Sequence, residues 1–376
     1  MVIAPQLDWI DTSQNIYRND IPLISLEIPS VRWALLALAA GDLGSMLTSN
    51  SMEPRPDYLS MQDKLQHEAL GPLTAHIYQL THNPHPYGSL SVDELRGLLV
   101  SMFLLVSLGI RTGRGPIWRL HMRAAYAISH AWLAADDTHL EDDDGIEKSI
   151  IALLSEFQTW SSITAIDRPP NWNLRISCNR AEGPFHKYVS IIRHITELAR
   201  DQRFSSNQSI STRNSDCLRK DIKEARRIAT VQIQKIDFQT RQARQSFSAM
   251  IDIYYQATLI YFFRVKGDDC ADQASCTIAR NHLFESLRGV FDMESIAHCL
   301  AWPLLIAGTE CHDCIDDQIF IEHKMLEVIK MTGGLDRARM MGLLRELWAT
   351  GQQQTVVNWI TMAKQWDRVG DPILIQ

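Results

Sequence analysis

Apolar residues recur at intervals of three and four along most of the chain, and no segment shows a convincing alternation of apolar and polar residues. A helix brings residues three and four apart onto one face, whereas a strand brings every second residue onto one face. The pattern therefore restricts the chain to an all-α fold. Between 58 and 80 it runs through Leu65, Ala69, Leu73 and Ile77, with Pro72 expected to kink or split the helix. Ser30 is placed to cap a helix over 30–46, and Ser91 with Glu94 makes a capping box ahead of a helix over 95–108.

Turn chemistry supplies the punctuation. The clusters at 82–88, 113–116 and 167–170 are rich in Pro, Gly, Asn and Asp, and each is expected to end one helix and open another. Pro116 suits the first turn of a helix through Trp118, His121, Ala125, Ile128 and Trp132. A further helix is expected over 146–160, and Gly183-Pro184 opens one that runs to Leu198. The Ser/Asn-rich stretch near 201–216 reads as a polar linker. Beyond it, Ile222, Ala225, Ala229, Ile233, Ile236 and Ala243 mark one face of a single long helix. The aromatic run over 247–265 is expected to be central to the core. Helices over 281–305, 319–332, 335–350 and 356–368 complete the array.

Charge and cysteine spacing narrow the chemistry. A net charge of −7 argues against an electropositive nucleic-acid face. The best basic patch, Arg219, Lys220, Lys223, Arg226 and Arg227, is diluted by Asp221 and Glu224 and reads as an exposed helix face. The amino-terminal residues lack a basic segment followed by an apolar one, so no export signal is expected, and the apolar run over 98–110 is too short to span a bilayer. The cysteines fall at 178, 217, 270, 276, 299, 311 and 314, which puts only one CxxC, Cys311 to Cys314, in the chain. Four adjacent ligands on one turn do not wrap a tetrahedral metal, so the thiols read as reduced and unligated.

Several clusters invite a chemical reading. Asp268-Asp269-Cys270-Ala271-Asp272 spells the DDxxD of a metal–diphosphate site, but no second ligand triad accompanies it, and a solvated loop or helix cap is expected. The acidic run over 136–144 reads as hydrated surface. Glu310, His312, Asp313, Asp316 and Asp317 form the densest mix of acid–base groups, at the end of an apolar helix. Trp118, His121, Trp302 and Trp348 lie on apolar faces, where core packing is the ordinary reading and lining a ligand cavity the alternative. The candidate pocket or acid–base cluster is thus Trp118, His121, Trp302, Glu310, His312, Asp313 and Trp348. No catalytic residue, cofactor or metal is assigned.

Five blocks, in order, resemble the fungal-specific transcription factor domain family. They are the Ala/Leu-rich 33–40, the Trp-Arg-Leu-His block at 118–125, the aromatic helix 255–264 ending in Arg264, the Ala301-Trp302-Pro303 block with its Ala307-Gly308 step, and Arg345-Glu346-Leu347-Trp348. The resemblance implies a multi-helix array of the regulatory-domain type over 30–376, preceded by a segment 1–29. It implies a nuclear regulator of biosynthetic or metabolic genes, whose partners are other transcription factors or co-regulators, with DNA reached only indirectly and no membrane. Some relatives also switch on a hydrophobic small molecule. The family's six-cysteine zinc cluster, its basic linker and a coiled-coil segment are not found in these 376 residues. That departure is read as truncation or as a paralogue acting through partners; the alternative is an enzyme or small-molecule-binding protein reusing the scaffold.

Overall fold

The computed structural model describes residues 15–45, 56–82, 91–112, 117–135, 146–164, 183–204, 212–238, 240–266, 270–312, 314–334, 336–351, 359, 362–363 and 365. Among these, all regular structure is helical, and the all-α expectation holds. In chain order the helices are α1 (Asp20–Glu27), α2 (Pro29–Ser45), α3 (Pro56–His82), α4 (Val92–Thr112), α5 (Ile117–Ala135), α6 (Ile146–Thr164), α7 (His186–Phe204), α8 (Thr212–Lys235), α9 (Arg241–Lys266), α10 (Cys270–Arg288), α11 (Ala301–Thr309), α12 (Ile315–Thr332) and α13 (Asp336–Gly351). The turn clusters over 83–88, 113–116 and 167–170, and the acidic run over 136–144, lie outside the described residues.

The chain forms two compact units. The first comprises Met1–Gln158, Pro170–Arg180 and Thr332–Asp336; the second comprises Thr159–Pro169, Ala181–Met331 and Arg337–Gln376. In the first, α2 packs on α1, α3 and α4, and α4 packs on α5. Ile16, Tyr17 and Ile21, from the amino-terminal segment, are buried in it. By length and composition alone α4 could cross a membrane, but 89% of its apolar stretch is buried within the protein, as in a core helix. It is longer than the apolar run over 98–110 because the capping box extends it. Glu94 Oε2 accepts from Ser91 N–H at 2.7 Å, and Ser91 Oγ accepts from Glu94 N–H at 3.2 Å.

In the second unit α9 is the hub, packed by α7, α8, α10 and α11. Ile253, Ala257, Ile260, Tyr261 and Phe262 of α9 are fully excluded from solvent, as its aromatic sequence predicts.

Five local expectations are revised. Ser30 does not cap α2. That helix begins at Pro29, whose missing N–H costs nothing in a first turn, and Ser30 Oγ lies buried 3.1 Å from Ser101 Oγ. Of the kink or split expected at Pro72, the split does not occur, since α3 is one helix from Pro56 to His82. The long helix through Ala243 is two helices. Thr240 Oγ1 accepts from Ala243 N–H at 3.0 Å and caps α9, while Phe238 stacks on Phe247 at 5.2 Å and turns the chain. The helix over 281–305 is also broken. Gly289 follows the end of α10, and Asp292 accepts from Ser295 N–H before a short 3-10 turn at Ala297–Cys299 leads into α11. The polar stretch near 201–216 is trimmed from both sides, because α7 reaches Phe204 and α8 starts at Thr212.

Candidate functional site

The apolar run of α11 has mean composition suited only to complete burial, and every residue from Ala301 to Thr309 is buried. Its two unusual dipeptides have local reasons. Pro303 sits in the first turn, where a backbone N–H has no intrahelical acceptor, so the ring removes nothing; the first helical bond is Leu304 N–H to Leu300 O at 3.0 Å. Gly308 sits where a Cβ would lie 2.6 Å from Leu344 Cδ1 and 3.3 Å from Ile321 Cγ2. The small residue thus lets α11 lie close against α12 and α13. Trp348 of α13 donates its indole N–H to Gly308 O at 2.9 Å. The Trp302 block and the Trp348 block, separated in sequence, are one packed joint.

Trp302 is the centre of an aromatic cluster and is 1% exposed. Its ring lies 5.6 Å from Tyr254, 6.0 Å from Trp160 and 6.3 Å, edge-on, from Tyr261. Phe185 and Tyr188 extend the cluster on the far side of Tyr254 at 5.3 Å and 5.9 Å. Each phenol has a fixed partner. Tyr254 donates to Cys299 O at 2.8 Å and Tyr188 to Ile251 O at 3.3 Å. Thr196 already donates to Ile192 O, so Tyr261 donates to Thr196 Oγ1 at 2.9 Å. Burial pushes the Tyr188 phenol far above the ordinary tyrosine range. The indole N–H of Trp302 is the exception: it is buried without an acceptor.

Two members of the acid–base cluster at the end of α11, Glu310 and Asp317, are held in ion pairs. Glu310, whose side chain is 5% exposed, accepts two bonds from Arg264 at 2.8 Å and 2.6 Å. Arg280 donates to Glu310 O at 3.0 Å and to Asp317 Oδ2 at 2.5 Å, and Arg288 donates to Asp317 Oδ1 at 2.9 Å. Both arginines lie over the Phe284 ring, which holds their planes. Burial pushes the Cys276 thiol up to about 12, reinforced by the Glu310 carboxylate 3.8 Å away, and burial likewise pushes Cys311 up to about 12. His312 is half-buried beside this network, and Asp313 lies outside the described residues. Among the described residues no three His, Cys, Asp or Glu side chains converge as metal ligands. Of the DDxxD motif, Cys270–Asp272 begin α10, and Asp268 and Asp269 lie outside the described residues.

Trp118 and His121 belong to the first unit, on α5, where both are buried. Trp118 packs on Gly109 of α4, where a Cβ would meet the Trp118 Cβ at 2.8 Å. His121 Nε2 is buried without a hydrogen-bond partner, and burial lowers its pKa below the ordinary imidazole value. Above about pH 6.5 the imidazole is neutral in folded and unfolded chains alike. As pH falls below that, the unfolded chain takes up the proton first, so stability should decline until the lower folded pKa is reached. Urea midpoints between pH 7.5 and 5.5 should fall with pH, and His121→Gln should flatten that slope. An unchanged slope in His121→Gln would show that other groups carry it.

The structure joins Trp302 and Trp348 through the packing of α11 and sets Glu310 among arginines; sequence reasoning gave no sign of Tyr254, Tyr261 and Thr196 beside Trp302, or of Arg280 and Arg288 as the partners of Asp317. The sequence profile described as Fungal specific transcription factor domain matches residues 1–369, so the match takes in the amino-terminal segment as well as both units. No curated protein and no solved structure matches the chain.

Proposed function

The chain belongs to the fungal-specific transcription factor domain family, and on that premise we propose that it is a nuclear transcriptional regulator of a fungal biosynthetic or metabolic gene set, acting through other transcription factors or co-regulators. The family match over 1–369 is the observation that carries this reading. DNA enters it only indirectly. On α8, Arg226 pairs with Asp252 at 2.6 Å, Arg227 pairs with Glu224 at 2.7 Å, and Arg219 lies over the Phe263 ring. Guanidiniums committed to internal partners supply little charge for neutralising phosphates.

A hydrophobic small molecule is a further element of this reading, and the buried Trp302 N–H is a group that an oxygen acceptor on such a ligand would satisfy. The enzyme alternative is less well supported. Glu310 and Asp317 are each held by guanidinium groups and offer no free acid–base pair.

The test is chromatin immunoprecipitation of the tagged chain in its native host, with imaging of the same strain. Enrichment at a defined set of promoters is expected, together with co-purification of the protein that contacts DNA there. Absence of enrichment from a chain located outside the nucleus would overturn the reading.

A further inference from the structure

We propose that α12 is a self-association surface, against which α12 of a second copy of this chain docks antiparallel about a two-fold axis. This inference does not depend on the regulator reading. The helix buries Ile321, Met325, Val328 and Ile329 within its own unit. On its other side Ile315 and Ile319 remain 62% and 59% exposed, and Leu326 is 37% exposed. At 3.6 residues per turn, Ile315, Ile319, Glu322 and Leu326 share one narrow stripe, with Asp316, His323 and Lys330 along one side of it. Single exposed aliphatic residues are ordinary on a protein surface. Three on one helical stripe form a continuous apolar line of the kind that helix pairs bury.

The charges decide what covers it. Asp316 lies near the start of the helix and Lys330 near its end, roughly 21 Å apart at 1.5 Å per residue. Neither enters an ion pair among the described residues. A covering helix must therefore carry a cation and an anion at the same separation in reverse order. A second α12, turned antiparallel, carries just that pair.

A two-fold axis between Glu322 and His323 places residues equally distant from it opposite one another. Ile319 then faces Leu326 of the second copy, and Ile315 lies along the apolar stem of Lys330. The Lys330 ammonium reaches Asp316, and Glu322, already paired with Arg345 of its own copy, lies beside His323. One register thus matches the apolar pairs and the charged pairs together, as an isologous contact requires. A parallel pairing would set Asp316 against Asp316 and Lys330 against Lys330. A contact confined to one helix face is small, so it should be concentration-dependent rather than permanent.

The measurement is sedimentation velocity of the full chain over a concentration series at low salt. The mean mass should climb from the monomer's 42.9 kDa towards twice that value. Ile319→Asp, at an exposed position that leaves the helical circular dichroism unchanged, should abolish the climb. Asp316→Lys and Lys330→Asp, each alone, should weaken association by at least about fivefold, because two symmetry-related exposed pairs of about 0.5 kcal/mol each are lost and like-charge contacts replace them. The combined Asp316→Lys/Lys330→Asp chain should recover wild-type association, because the swap restores both pairs. A chain that is monomeric at every concentration, or a dimer that survives Ile319→Asp, overturns the proposal. A double swap without recovery overturns the antiparallel register.

Discussion

Truncating Trp302 to alanine should lower the stability of the second unit by about 3–5 kcal/mol, the range for removing a fully buried large aromatic side chain. The indole touches three aromatic rings contributed by α6 and α9, so its loss opens a void between helices rather than a dent at the surface. Rigid neighbours make that void hard to close. Tyr254 and Tyr261 are tied by their phenols to Cys299 O and Thr196, and moving either ring inward would break a buried hydrogen bond. Trp302→Phe should cost much less than Trp302→Ala. It keeps most of the apolar contact and removes an N–H that has no acceptor. Urea unfolding of the three chains, with hydrogen exchange followed in α9 and α11, measures both claims. Equal midpoints for wild type and Trp302→Ala would show that the cluster contributes nothing to holding the unit together.

The second large effect is expected in the first unit. Asp42 of α2 and Arg111 of α4 form an ion pair with side chains only 3% and 8% exposed. Arg111 Nη2 also donates to Thr332 O at 2.8 Å, where a C-terminal carbonyl of α12 would otherwise lack a donor. Asp42→Ala would break this buried ion pair by removing one partner, a change that costs about 3–5 kcal/mol. Replacing both residues by apolar ones of similar volume, as in Asp42→Leu/Arg111→Met, should recover most of that loss, because the desolvation cost disappears with the charges. The contrast separates the electrostatic cost of breaking the pair from simple loss of packing. Screening offers a further check: added salt to 0.5 M should change the wild-type midpoint little, since solvent ions do not reach this pair. If Asp42→Ala unfolded at the wild-type urea concentration, the pair would be energetically idle.

Parts of this architecture are legible residue by residue. Ser91 and Glu94 announce a capping box because both partners lie within one turn, and the structure shows both bonds. Pro303 reads correctly for the same reason, since its compatibility with a helix depends only on its place in the first turn. Thr240 was equally local, but the apolar spacing running on to Ala243 masked it, because periodicity continues in register across a short break. Ser30 misled in the opposite way. A serine beside a helix start is a good cap by propensity, yet Pro29 took the first turn and a buried contact with Ser101 took the hydroxyl.

The candidate site shows the same division more sharply. Glu310 and Asp317 looked like an acid–base cluster because the sequence displays their carboxylates side by side and hides the groups that face them. Arg264, Arg280 and Arg288 arrive from α9 and α10, and their guanidiniums convert reactive-looking carboxylates into ion pairs. Gly308 was visible as a small residue, but only the fold identifies Leu344 as the side chain that needs the space.

The sequence by itself determined that the chain is helical, which faces of most helices are apolar, and to which family it belongs, because periodicity, capping and block order are properties of neighbouring residues. Tertiary structure alone decided that Trp302 meets Tyr254, that Arg111 holds Asp42, and that Glu310 and Asp317 are neutralised by arginines. Those outcomes depend on helices distant in sequence meeting at particular angles, and no local pattern of residue types encodes which side chains will face each other.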